Sequence, residues 1–239
     1  MVGKLRKNQA SEMQEEGKIM GQRKTVGAEA EAIDLTAWEK RLWEEGLQYV
    51  AGIDEVGRGC LFGDVVAAAV ILPAGIAIEG INDSKKLSAK KREALYEEIT
   101  ECAIAWSVAQ VDASTIDRIN IKQASRLAMK QAVEGLGIRP DMLLIDAERI
   151  DCPLPQEAIV KGDANSQSIA AASIVAKVTR DRLCAGLWDE LYPDYGIAVH
   201  KGYATKQHRE QLERLGPSPM HRKSFLKSLF PEEEQLSLF

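Results

Sequence analysis

Residues 47–73 read LQYVAGIDEVGRGCLFGDVVAAAVILP, and this stretch decides the fold class. Its first part is strand-like and stops at the GRG of residues 57–59. Its second part, Val65 to Pro73, is apolar without alternation, the pattern of a strand covered on both faces. Gly57, Gly59 and Gly63 lie between the two and allow a tight connection. The first strand ends in two adjacent acids, Asp54 and Glu55.

Upstream, Asp34 or Thr36 can cap a helix that puts Trp38, Leu42 and Trp43 near one face and ends at Gly46. Downstream, Ser88 caps a helix with Leu95, Tyr96 and Ile99 inward, and CAIAWSVAQVD reads as a third strand. Residues 115–137 read as helix, ending at Gly137. DMLLIDAERI is a short buried strand with Asp146 at its carboxyl end, and QEAIVKGD is another. NSQSIAAASIVAKVTRDRLCAGLWDEL is a long helix, capped by Ser166 or Ser168 and rich in small residues for close packing. Residues 200–227 are basic. Strands first, then strands and helices interleaved, predict an α/β fold: a mixed sheet with helices on both faces. The folded region is expected at 34–228, between a polar tail at 1–33 and an acidic tail at 229–239.

The composition is that of a soluble globular chain: 239 residues, net charge −5 and 45% hydrophobic. No stretch approaches the roughly 18 consecutive apolar residues of a membrane span, and the basic N-terminus has no apolar run behind it, as a secretory signal would. Cys60, Cys102, Cys152 and Cys184 are dispersed, so free thiols in a reducing cytoplasm are expected rather than zinc or disulfides. The acidic balance argues against coating nucleic acid by bulk charge and leaves room for a local basic face.

Four carboxylates stand where chemistry would need them. Asp54 and Glu55 end the first strand, Asp146 ends MLLID, and Asp163 precedes the long helix in KGDANS. Ligands of open α/β sheets gather outside the carboxyl ends of strands. Any one of these acids could be a solvated strand end or a helix cap; all four together are harder to explain that way. Clustered carboxylates repel unless a cation neutralises them. An all-oxygen set suits Mg²⁺ or Mn²⁺, and two such ions can stabilise both oxygens of a phosphoryl displacement. The chain has no GxxxxGK[ST] loop and no GxSxG elbow. The chemistry left is metal-assisted phosphodiester cleavage.

GIDEVGRGCLFGDVVAAAVIL, NDSKKLS, KGDANSQSIAAASIVAKVTRDRL and HKGYATKQHREQLERLGPSPMHRKSF, in that order, resemble bacterial ribonuclease HII from about Trp38 to about Phe225. The resemblance implies an RNase H-like fold with a C-terminal helical part. It implies hydrolysis of RNA in RNA–DNA hybrids and of the bond 5′ to a ribonucleotide embedded in duplex DNA, leaving a 3′-hydroxyl and a 5′-phosphate. It makes Asp54, Glu55, Asp146 and Asp163 the catalytic, metal-holding acids. Gly57, Arg58 and Gly59 match the segment that recognises the ribonucleotide and its junction with DNA, and Tyr203 matches the tyrosine that packs on the following sugar. Lys85 and Lys86 match a phosphate-facing segment. Asp181 is expected in a surface ion pair with a neighbouring Arg, outside the site. The chain departs from the family pattern at Cys60, Phe62 and Asp64, where proline and small residues are usual, and at Ala147, where glycine is common.

Physical chemistry gives these matches a rationale. The 2′-hydroxyl alone separates a ribonucleotide from DNA, glycine amides can approach it without a Cβ in the way, and basic residues can hold phosphates without reading bases. The blander readings are a plain hairpin turn for Gly57 and Gly59, a core tyrosine for Tyr203 and a solvated helix face for the basic segment. Two other functions compete. A non-catalytic adaptor that binds hybrids gains nothing from acids facing phosphate, and a junction resolvase needs no 2′-hydroxyl sensor. Ribonuclease HIII would bring a sizeable N-terminal domain, for which the tail is short and polar.

Gln235, Leu236, Leu238 and Phe239, in QLSLF, resemble the peptide by which bacterial replication proteins bind the sliding clamp. A monomer is expected.

Overall fold

The computed structural model describes residues 34–227. Helix α1 (Ala37–Glu44) leads into β1 (Val50–Val56) and β2 (Val65–Ile71), followed by α2 (Ala89–Cys102), β3 (Ala105–Val111) and α3 (Ala113–Glu134). Strands β4 (Met142–Asp146) and β5 (Gln156–Ile159) follow, then the long α4 (Gln167–Ala185). The C-terminal part holds α5 (Leu187–Leu191), α6 (Ile197–His200), α7 (Lys206–Leu215) and α8 (Lys223–Leu226). The expected tails at 1–33 and 229–239 lie outside the described residues, as does the QLSLF peptide.

The five strands form one sheet in the order β3-β2-β1-β4-β5. β1 and β2 pair antiparallel, as do β2 and β3, while β4 runs parallel to β1 and β5 parallel to β4. Every residue of β2 is buried, as its unbroken apolar run requires. One face packs Ala51, Ile53, Ala67 and Ile145 against Ile116, Ala128 and Met129 of α3. The other packs Ala68 and Val70 against Leu95 and Ile99 of α2 and the alanines of α4. The two faces together are the mixed, doubly covered sheet that the sequence predicts. The small residues of α4 let it lie directly on β1: a Cβ on Gly52 would come within 2.0 Å of the Ser168 carbonyl carbon. Among the described residues, no helix is long and apolar enough to cross a membrane.

Three details differ from the sequence reading, the first being that the long helix expected to run through LWDEL ends at Ala185, with Gly186 between it and α5. The helix expected at 115–137 spans Ala113–Glu134 and breaks at Asn120, which has φ 65°. Asn120 restarts the helix by accepting from the Gln123 amide. Asp181 pairs with Lys177 at 2.6 Å and Arg92 at 3.8 Å rather than with an adjacent arginine.

Phe62 anchors the C-terminal helical part. It is fully buried, edge-on to Trp188, Tyr192 and His221. The segment between β1 and β2 is thus built into a third cluster with Leu61, Cys184, Ile197 and Leu212. Phe62 serves this packing, and the fully buried Cys60 donates its thiol to the Lys201 carbonyl at 3.6 Å. The Asp64 carboxyl is pushed up first by burial and then by Asp112, against the pull of Arg222 and Arg180.

Candidate active site

Strand geometry gathers the acids. The register pairs Ile53 of β1 with Ile145 of β4, so Asp54 and Asp146 are the next neighbours along the two parallel strands. Asp54 faces α4 and accepts from the Glu55 backbone amide at 2.7 Å, with the Ser173 hydroxyl acting to lower its pKa. Ser84 and Ser173 share a hydrogen bond of 2.8 Å. Asp163 sits in the 3₁₀ turn Gly162–Ala164 that leads into α4. The Gly162 amide donates to Asp146 at 2.6 Å, tying that turn to the end of β4. Strand alternation turns Glu55 to the α3 side. There it accepts from Arg58 at 3.1 Å, close to Glu148, which Arg126 of α3 holds at 2.9 Å.

The electrostatics are those of an unneutralised group. Burial first, then the charges of Glu55 and Asp146, push the Asp54 carboxyl well above the usual range. Burial raises Glu55 against the pull of Arg58. Asp163 is raised by burial and then by Asp83 and Asp146. Burial works to lower the Lys85 pKa, but Asp163, Asp54, Asp83 and Asp146 together overcome it and raise it. Lys85 Nζ stands 3.7 Å from Asp163. Lys86 turns to Asp83 at 3.9 Å. Glu55 Oε2 is buried without a hydrogen-bond partner, and such an orphaned acceptor fits a cation.

The donor set is all carboxylate, as hard divalent ions require. Among the described residues no three His, Cys, Asp or Glu side chains close into a ready-made cage. A Mg²⁺-like ion needs only one or two carboxylates, with water and phosphate oxygens completing its shell. The residues present fit such a group.

Beside the acids, residues 57–63 are threaded between two C-terminal segments. Cys60 bridges to Tyr203 and Phe62 to His221. The Leu61 amide donates to Gly202 at 2.8 Å, Gly63 donates to Met220 at 2.9 Å, and Arg222 donates back to Leu61 at 2.8 Å. Gly57 has φ +92°, and the Arg180 Nε would lie 2.4 Å from any Cβ placed there. A Cβ on Gly59 would meet nothing within 4 Å. The fold therefore demands glycine at 57 and leaves open space in front of 59. Tyr203 is 40% exposed on the same edge; burial, then the Cys60 thiol, raises its pKa.

The family model for ribonuclease HII matches residues 51–228. The chain belongs to the ribonuclease HII family. It is 62% identical over 197 residues to a ribonuclease HII of Alkaliphilus metalliredigens, covering 80% of this chain and 96% of the relative. It is 54% identical over 192 residues to one of Enterococcus faecalis, covering 80% and 75%. Among solved structures, the fold resembles ribonuclease H2 from Pyrococcus horikoshii, with a TM-score of 0.65 at 26% identity, over 79% of this chain and 98% of that one. It also resembles ribonuclease HII in a complex with PCNA from Archaeoglobus fulgidus, with a TM-score of 0.57 at 30% identity, over 70% and 87%.

In this ribonuclease HII chain, several side chains around the site escape sequence reasoning. Asp83 stands in NDSKKLS beside the lysines, so its signal was in view. Ser173 is masked by the small residues of α4. Arg222 reads as part of the basic segment, yet it and Arg180 are fully buried. Arg222 donates twice to the Gly63 carbonyl, at 2.9 and 2.7 Å, and once to the Arg58 carbonyl at 3.0 Å. Arg180 donates to the carbonyls of Asp64, Phe62 and Lys201 at 3.1, 3.0 and 2.8 Å. Burial lowers the Arg222 pKa to about 10, which leaves it charged at neutral pH.

Proposed function

We propose that this chain hydrolyses the RNA strand of RNA–DNA hybrids and cuts duplex DNA 5′ to an embedded ribonucleotide, using two divalent cations, Mg²⁺ or Mn²⁺. The observation that carries this reading is the group of buried, unneutralised carboxylates at one end of the sheet. When bound, the cations supply neutralising charge to the scissile phosphate and to the departing 3′ oxygen. Asp54, Glu55, Asp146 and Asp163 would hold them. The Glu55 amide keeps the Asp54 carboxylate oriented, and the Gly162 amide does the same for Asp146. Lys85 offsets part of the negative charge that an incoming phosphate would meet. Arg58 and the open space at Gly59 suit a phosphate and a 2′-hydroxyl approached by backbone amides. Tyr203, on the same edge, packs on the sugar after the ribonucleotide.

The test is one duplex carrying a single embedded ribonucleotide, incubated with Mg²⁺ or Mn²⁺ and, separately, with EDTA. The expected products carry a 3′-hydroxyl and a 5′-phosphate, and only the metal-containing reactions yield them. Cutting of an all-DNA control, or cutting that survives EDTA, overturns the reading.

The C-terminal peptide supports a second contact. The Archaeoglobus fulgidus relative was solved bound to PCNA, and Gln235, Leu236, Leu238 and Phe239 place apolar anchors in a short peptide. We propose that a monomer of this chain docks on the bacterial sliding clamp through them. Clamp binding that persists after deletion of 235–239 ends that proposal.

A further inference from the structure

The three histidines of the chain, His200, His208 and His221, are all buried and stand together under the Tyr203 segment. His200 stacks on His208 with ring centroids 4.1 Å apart. The protons in this group are fixed by their partners. The Ser218 backbone amide donates to His221 Nδ1 at 2.9 Å, so that nitrogen carries no proton. A neutral His221 then has its proton on Nε2, which faces His208 Nε2 at 3.0 Å. His208 Nε2 must accept, so its proton sits on Nδ1 and is donated to the Tyr203 carbonyl at 3.0 Å. His200 is fixed separately: Gly202 donates to its Nδ1 at 3.2 Å, and its Nε2 donates to the Tyr195 carbonyl at 2.7 Å. The hydrogen bonds therefore run one way, from Ser218 through His221 and His208 to the backbone of Tyr203. The other ends of the same segment are pinned by Leu61 on Gly202 and by the Cys60–Tyr203 bridge.

We propose that His208 and His221 are positioning residues for ribonucleotide recognition, and that their one-way hydrogen-bond chain sets the placement of Tyr203 against residues 57–60. The inference rests on the reading of Tyr203 as the residue that packs on the sugar. A tyrosine 40% exposed on a loop is only partly packed; its backbone must be held from beneath. A carbonyl that accepts from both Thr205 and His208 is held in two directions.

The test compares His208→Leu, which removes both hydrogen bonds of the imidazole, with His208→Asn, whose amide reaches the Nδ1 position and can still donate to Tyr203. The readouts are kcat and KM on the single-ribonucleotide duplex and on a long hybrid, with Tm as the check on folding. His208→Leu should lower the preference for the single-ribonucleotide duplex by about tenfold or more, because small misplacements of a positioning group carry costs of that order. His208→Asn should recover most of it. In a Tyr203→Ala background, His208→Leu should change the preference no further. Nitrogen-detected NMR of the wild type should show His208 as the Nδ1–H form and His221 as the Nε2–H form. If Tyr203→Ala leaves the preference unchanged, the reading of Tyr203 fails, and this inference fails with it. If Tyr203→Ala changes the preference but folded His208→Leu does not, or if the two effects simply add, only the histidine proposal is overturned. Opposite tautomers overturn it as well.

Discussion

The end of the sheet and the C-terminal helical part both bury charge or titratable groups, and they treat it in opposite ways. At the strand ends, Asp54, Glu55 and Asp163 are desolvated beside one another with too few cations to answer them. At the C-terminal part, Arg222 and, from α4, Arg180 are equally buried, yet every donor they point at residues 58–64 meets a carbonyl. His208 and His221 there are kept neutral by burial, and their hydrogen bonds form a closed set. The contrast teaches how to tell a binding group from scaffold: the scaffold finishes its electrostatics internally, and a site leaves them for the ligand to finish.

The largest effect should come from the unfinished side. Asp54→Asn keeps shape and hydrogen bonds but removes a charge the cations need. The cleavage rate should fall by roughly 10³-fold or more, a loss of several kcal/mol of transition-state stabilisation. In EDTA the same variant should melt at or above the wild-type temperature, because a desolvated carboxylate is gone. A variant that is both inactive and clearly less stable would place Asp54 with the scaffold and erase the contrast.

On the finished side the order reverses. Arg222→Lys cannot reproduce the forked contacts to Gly63 and Arg58. It should cost about 2–3 kcal/mol of stability by leaving buried carbonyls unpaired. Melting temperature should drop accordingly, with single-ribonucleotide cleavage impaired through the loosened loop. Unchanged stability would mean that Arg222 is not the clamp it looks like.

Comparable in size is a pH effect. Burial holds His208 at about 4 and His221 at about 3, below the ordinary histidine value. The unfolded chain binds protons there that the folded chain refuses. Stability is therefore full above about pH 6.5 and is lost as pH falls toward 4, by up to about 1.4 kcal/mol per pH unit for each histidine. Urea titrations at pH 7 and pH 5 should show this loss, and it should be smaller in His208→Leu.

The smallest effect concerns one backbone angle. Ala147 follows Asp146 with φ +51°, a left-handed conformation that alanine adopts at a cost. Ala147→Gly should raise stability by about 0.5 kcal/mol, the relief of strain less the added freedom of the unfolded chain. A loss of stability would show that the methyl group packs better than the strain suggests.

These residues also show how far the sequence could be read. The uninterrupted run at 65–71 announced a strand buried on both faces, and MLLID announced another with an acid at its end. Strand ends and acid placement are local signals, so the four carboxylates were legible together. Asn120 was missed because a helix break that the chain caps with its own side chain leaves no glycine or proline to mark it. Arg180 and Arg222 were illegible for a different reason. Nothing in VTRD or HRKSF distinguishes an arginine on the surface from one that reaches back more than a hundred residues to hold a loop. The histidine chain was hidden likewise, since its partners are backbone groups and a second histidine thirteen residues away. Ala147 was visible only as a departure from the usual glycine; the angle gave it a meaning.

The threading of residues 60–63 between residues 202–203 and 220–222 has a consequence for synthesis. A ribosome delivers Asp163, the last of the four acids, some sixty residues before Arg222 emerges to fasten the segment beside them. A nascent or prematurely terminated chain can thus own all four acids and still lack the segments that fasten residues 60–63 beside them. The fastening of this edge comes late in synthesis.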